Sequence, residues 1–167
     1  PFLVRIDDGT RVFNYNYSSV SVSNRQPGWF FSAVGAPEID ELQILRLHRD
    51  LLVAHCNGDA GKMAELTTPE SVVASRGEVY RVSRESTRER FLKLFERLDY
   101  QQYHDIIPPI IEVSDDGSLG WIAVNVRAEG TETESGAAFD AQWAWIMLAK
   151  KLDGVWLNAG NASNWQR

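Results

Sequence analysis

The stretch DAQWAWIML, Asp140 to Leu148, constrains the fold of this chain more than any other. Side chains alternate across a strand, so Phe139, Ala141, Trp143, Trp145 and Met147 share one face, and Asp140, Gln142, Ala144, Ile146 and Leu148 share the other. Both faces are largely apolar. The preceding LGWIAVNVRAEG behaves alike: Leu119, Trp121, Ala123, Asn125 and Arg127 alternate with Ile122, Val124, Val126 and Ala128. An antiparallel sheet with one solvated face carries polar residues there. These strands need a cover on each side.

The remaining segments supply one cover. FLVRI and RVFNYNYSSVSVS, joined by DDGT, predict an N-terminal β-hairpin, and NRQPGWFFSAVGAP predicts a connection. A helix is expected from about Glu38 to Asn57, with Pro37 and the acidic Glu38, Asp40 and Glu41 at its start and the NGD turn at its end. Leu42, Leu45, Leu52 and Cys56 form one stripe of it, and Ile44, His48, Leu51 and His55 lie beside that stripe. AGKMAELT predicts a short second helix, SVVAS and EVYRVS a hairpin around RG, and SRESTRERFLKLFERL an amphipathic helix with STRE as its capping box. From Tyr100 onward four strand segments follow, separated by DDG, TETESG and LDG. Helices first and strands after is the α+β pattern.

With helices on one face, the other would expose a contiguous apolar surface, here expected to contain Ile122, Val124, Ile146 and Leu148; such patches mark interfaces. A homodimer through the sheet is the expected cover, and the N-terminal hairpin folded over that face is the alternative. On the helix side, Trp121, Trp143 and Trp145 with Asn125 and Arg127 would make the kind of wall that lines a small-molecule pocket. Burying Arg127 without a partner is costly, so it should reach the rim or meet an anion.

Bulk properties exclude several classes. The 167 residues, 44% hydrophobic and 24% charged, fit one globular core with an extension at residues 1–37 and a domain at 38–167. A net charge of -6 argues against nucleic acid as a partner, and the arginines of RESTRER are interleaved with glutamates. No apolar run is long enough to span a membrane. The single Cys56 makes no intramolecular disulfide and no cysteine-rich metal site. The chain begins at Pro1, as a processed or trimmed product would, so an upstream export signal is not excluded and the compartment stays open.

The order of elements, with AHCNGDAGKMAEL ending the long helix, VVASRGEVYRVSRES forming the hairpin, then VSDDGSLGWIAV and KKLDGVWLNAGNAS among the strands, resembles the nuclear transport factor 2-like superfamily. It is most similar to the ketosteroid isomerase-like and SnoaL-like branches, over roughly Glu38 to Asn164. The resemblance implies a cone: a strongly bent antiparallel sheet wrapped around helices, a ligand pocket at the wide end, and dimers through the sheet. Isomerases, dehydratases, cyclases, binding proteins and assembly domains share that cone, so the reaction is not implied. A small hydrophobic ligand, with lyase or isomerase activity or none, is one expectation; a non-enzymatic assembly or accessory domain, with GWFF as added contact surface, is the other. No cofactor is called for.

Candidate ligand-binding residues are therefore His48, His55, Trp121, Asn125, Arg127, Trp143, Trp145 and Asn158. His55 stands where relatives often place an aromatic pocket residue. Asn158 shares a face with Trp156, and Asn161 is expected on the opposite one. No catalytic set is assigned: Asp140 falls opposite the tryptophans, and Asp105 and Glu112 carry no supporting pattern. Two histidines seven residues apart are separated by about 10.5 Å of helix rise, too far to share one metal ion. His104 would have to join by coincidence of fold, so no metal site is expected.

Overall fold

A computed structural model describes residues 4–7, 12–16, 19–23 and 36–165. The chain divides into two compact units, Pro1–Gly35 and Ala36–Arg167. In the first, β1 (Val4–Asp7), β2 (Val12–Asn16) and β3 (Ser19–Ser23) form an antiparallel sheet in that order. The DDGT turn beyond Asp7 and the GWFF segment lie outside the described residues.

The second unit opens with α1 (Ala36–Cys56), and Asn57–Asp59 ends it as the breakers predict. Asp59 then caps α2 (Ala60–Glu65), its carboxylate accepting from the Lys62 amide at 2.8 Å. On α1 the buried face spans both expected stripes: Ile44, Leu47, His48, Leu51, Leu52 and Ala54 are buried, while Leu42, Leu45, His55 and Cys56 are half-buried beside them. β4 (Thr67–Ser75) and β5 (Glu78–Ser83) form the expected hairpin. Its two-residue turn, Arg76–Gly77, has φ of 55° and 82°, the positive pair that closes hairpins tightly. α3 (Arg84–Phe95) is capped three residues before the cap expected in STRE: Ser83, not Ser86, is its cap, accepting from the Ser86 amide at 3.1 Å.

The strand-rich half splits further than its pattern suggests. Pro108 and Pro109 divide the first segment into β6 (Leu98–Asp105) and β7 (Ile110–Val113), both paired to β8 (Leu119–Glu132). β9 (Ala138–Leu152) and β10 (Val155–Trp165) complete a sheet of order β5-β4-β10-β9-β8-β6, with β7 beside β8. All joins are antiparallel except β10 with β4, which is parallel. A bulge between Asn158 and Gly160 interrupts it, where a Cβ on Gly160 would meet the Val72 carbonyl oxygen at 2.6 Å; only glycine lets the backbones approach there.

The register of β8 against β9 corrects the expected assignment of faces. Trp121 stands opposite Leu148, Val124 opposite Trp145 and Val126 opposite Trp143. Ile122 and Val124 therefore face the helices, in one core with α1, Met147 and Trp156. Trp121, Asn125 and Arg127 share the outer face with Ile146 and Leu148. Alternation orders each strand by itself; the β8–β9 loop decides which face of one joins which face of the other. No described helix is long and apolar enough to cross a membrane.

Asp40 near the start of α1 is buried and accepts hydrogen bonds from the Lys151 ammonium and from the Trp156 indole N–H at 2.9 Å. Burial alone would raise this carboxyl, but the bonds from Lys151 and Trp156 outweigh it and hold the group below its ordinary 3.8. The contact ties the first helix to both strands of the β9–β10 hairpin.

Candidate functional site

Between α1, α3, the β4–β5 hairpin and the inner face of β6, β9 and β10 lies a cavity of about 560 Å³. His55 on α1 is its centrepiece. The His55 ring makes edge-on contacts with Tyr103, Phe91 and Tyr100 at centroid distances of 4.8, 5.2 and 5.6 Å. Its Nδ1 lies 2.8 Å from the Leu51 carbonyl, one helical turn back. In the neutral ring that nitrogen carries the proton and donates, leaving Nε2 with the lone pair. Burial pushes the imidazole down to about 4, the Leu51 carbonyl opposes this, and the Arg90 charge adds to it. At neutral pH His55 is an uncharged acceptor.

Two phenols supply the opposite function. Burial pushes Tyr100 up to about 12 and Tyr103 well above its ordinary value. Tyr103 accepts from Trp143 through its side-chain oxygen, and the two rings meet edge-on at 5.4 Å. Both hydroxyls stay protonated. The deep wall thus presents neutral donors, one neutral acceptor and aromatic surface.

Of the eight candidate residues, the structure brings His55, Trp143, Trp145 and Asn158 to the cavity. Asn158 has a backbone task as well: its side-chain oxygen accepts from the Gly160 amide at 3.0 Å, closing the bulge. That bulge turns Asn161 inward too, contrary to the simple alternation, so both asparagines line the cavity.

Trp121, Asn125 and Arg127 belong to the outer face and not to the cavity. Asn125 accepts from Gln142 at 3.1 Å, and Arg127 donates two bonds to Asp140, at 2.9 and 2.7 Å, with Glu129 also 2.9 Å away. The anions expected for Arg127 are supplied by Asp140 of the adjacent β9 and by Glu129 of its own strand. The Arg127 contact holds Asp140 below the ordinary carboxylate range. Glu112 is exposed opposite Trp121.

His48 is 0% exposed and lies outside the lining, its Nε2 2.8 Å from Asp105 Oδ1. If Nε2 carries the proton toward the carboxylate, Nδ1 is a bare acceptor, and it has no partner among the described residues. The indole N–H of Trp145, whose ring centroid is 5.5 Å from that of His48, also lacks one. His104 is exposed on β6.

Residues that the alternation missed include Tyr100, Tyr103 and Phe91. The two tyrosines are three apart, so a regular strand would set them on opposite faces; a bulge at Gln101 turns both inward. Phe91 was legible as the apolar stripe of an amphipathic helix, without any sign that it borders space.

No protein-family model and no curated protein matches the sequence. Solved structures do. A ketosteroid isomerase-like protein from Erwinia carotovora atroseptica aligns with a TM-score of 0.64 at 17% identity, over 77% of this chain and 97% of that one. A nuclear transport factor 2-like superfamily protein from Salmonella enterica serovar Typhimurium gives 0.67 at 12% identity, over 77% and 92%. A nuclear transport factor 2-like protein from Cytophaga hutchinsonii gives 0.60 at 19%, over 74% and 95%. At such identities the likeness is one of fold, and it agrees with the helices-then-curved-sheet arrangement above: this chain has the nuclear transport factor 2-like fold.

Proposed function

We propose that the chain is a small-molecule binding protein of the SnoaL-like type, holding a hydrophobic ligand in the cavity around His55. The observation that carries this reading is the cavity itself, whose 560 Å³ falls within the range of small-molecule sites and whose wall is aromatic with a few convergent polar groups. The wall chemistry favours binding over turnover. Isomerase or lyase chemistry needs a base whose pKa lies near the working pH, but His55 is held at about 4 and both phenols stay protonated. The one carboxylate among the described lining residues, Glu78, is exposed beside the hairpin turn.

Titrating tryptophan fluorescence with polycyclic hydrocarbons of increasing size tests the reading. Quenching should saturate at one ligand per chain and should vanish in Phe91→Glu, which sets a carboxylate into the aromatic wall. Wild-type protein that shows no saturable quenching with any member of the series would sink the proposal.

A second reading concerns the outer face, where Ile110, Leu119, Ile146 and Leu148 are large, apolar and exposed on adjacent strands. We infer that a second copy of the chain covers it, giving a homodimer through the sheet that would also serve an assembly or accessory role. Light scattering across a concentration series measures this directly; a constant monomer mass refutes it.

A further inference from the structure

The cavity segregates its charges. Its charged lining residues, Arg76, Glu78 and Arg90, are all exposed, whereas the wall around His55, Tyr103 and Trp143 is neutral at physiological pH. Arg76 and Glu78 flank Gly77 in the β4–β5 turn. The Arg90 guanidinium carbon lies 5.1 Å from the centroid of the Phe91 ring, and its charge is felt at His55. It therefore stands where cationic mouth and aromatic chamber meet.

Neighbouring arginines are committed elsewhere. Arg81 pairs with Glu70 at 2.9 Å, Arg88 with Glu85 at 3.0 Å, and Arg84 donates twice to the Thr67 carbonyl, at 3.0 and 2.7 Å. Arg76 and Arg90 have no carboxylate partner among the described residues. Two cations against one carboxylate give the mouth a positive excess on a chain whose net charge is -6. An anionic group at the mouth would gain from this positive excess, and a compact charged ligand without an apolar body would press its charge against aromatic rings.

We propose that the cavity selects an amphipathic oxyanion: a polycyclic or otherwise bulky apolar body against Tyr103, Trp143 and Trp145, with one carboxylate- or sulfonate-type group at the mouth held by Arg76 and Arg90. The inference rests on the cavity being a binding site and adds the class of ligand. Arginine suits the task because its planar fork donates paired hydrogen bonds to an oxyanion and because it stays charged while lying over an aromatic ring. His55 Nε2 adds a neutral acceptor suited to a hydroxyl on the ligand body.

The test compares pyrenebutyrate with its methyl ester, which share an apolar body and differ in charge, by energy transfer from tryptophan to pyrene on the full chain at neutral pH. The acid should bind about tenfold more tightly than the ester, the order expected of a charge-assisted contact. In the double variant R76Q/R90Q this preference should disappear, acid and ester then binding alike. Arg81→Gln, which alters a paired surface arginine outside the lining, should leave the preference intact. Equal binding of acid and ester by the wild type overturns the oxyanion class while leaving the cavity reading standing. A preference that survives R76Q/R90Q, or that falls equally in Arg81→Gln, also overturns it. Binding of neither probe removes both readings.

Discussion

The two faces of the β8–β9 ladder both carry large apolar residues and differ in environment: the outer one mixes them with Asn125, Arg127, Asp140 and Gln142, and the inner one does not. Ile122 and Met147, paired on the inner face, are 0% exposed; Ile146 and Leu148, on the outer face of the same strands, are 45% and 51% exposed. For these four side chains, hydrophobicity is not what separates buried from exposed. The inner face is closed by the α1 stripe of Ile44, Leu47 and Leu51, and the outer one meets no element of its own unit. An apolar face states that something must cover it without saying what.

Paired truncations on adjacent strands give this contrast its largest expected effect. Ile122→Ala should cost about 4 kcal/mol in urea unfolding, because it opens a cavity in a packed core. Ile146→Ala should cost less than about 1 kcal/mol, since half of that side chain is already outside the core. Equal costs would mean that the outer face is packed as tightly as the inner one.

The tie between α1 and the β9–β10 hairpin comes next. Asp40→Ala should cost roughly 3 kcal/mol, because it leaves the Lys151 ammonium and the Trp156 N–H without their acceptor. The pH dependence has a definite sign. Asp40 is depressed below 3.8 in the folded chain, so its stabilisation is complete above the unfolded value and is lost as pH falls through the folded one. Acid titration of stability in Asp40→Asn should lack that component, and an unchanged acid limb would remove Asp40 from the account.

How much of this was legible in sequence depended on the range of the information. Local signals held: the Asn57–Asp59 stop, the Arg76–Gly77 turn and the apolar stripe of α3 appear where their residues predict. Within β8 and β9, the inside and outside sets were also correctly separated. What failed was the pairing of sets between strands, which moved Trp121, Asn125 and Arg127 to the wrong side, because register depends on loop geometry that alternation does not encode. Two bulges did the rest. Those at Gln101 and Ala159 each reverse the alternation once, bringing in Tyr100 beside Tyr103 and Asn161 beside Asn158. Much of the cavity lining is therefore written in irregularities, and a reading built on regular strands passes over them.

Within the inner layer, His55 separates the hollow part from the packed part. Its folded pKa of about 4 against an ordinary 6.5 means that the unfolded chain takes up the proton first, so stability rises with pH between those values. Lowering the pH from about 7 to about 5 should cost about 2 kcal/mol through this group. His55→Phe should flatten that slope in urea titrations at the two pH values. A slope that persists in the variant would assign it to another group.

The smallest effect on the fold is expected from the largest change to the outer surface. Ile146→Glu with Leu148→Glu places two carboxylates on adjacent outward positions of β9, where both residues are already about half exposed. The unfolding midpoint of the monomer should move by less than about 1 kcal/mol, because no core contact is lost. Self-association should instead fail, since two copies meeting through this face would bury four like charges without partners. Light scattering and circular dichroism on the same sample separate the outcomes: a folded monomer is expected where the wild type is a dimer. A dimer that survives both charges would place the contact elsewhere and leave the outer face with a different cover, and an unfolded chain would mean that the outer face belongs to the core after all.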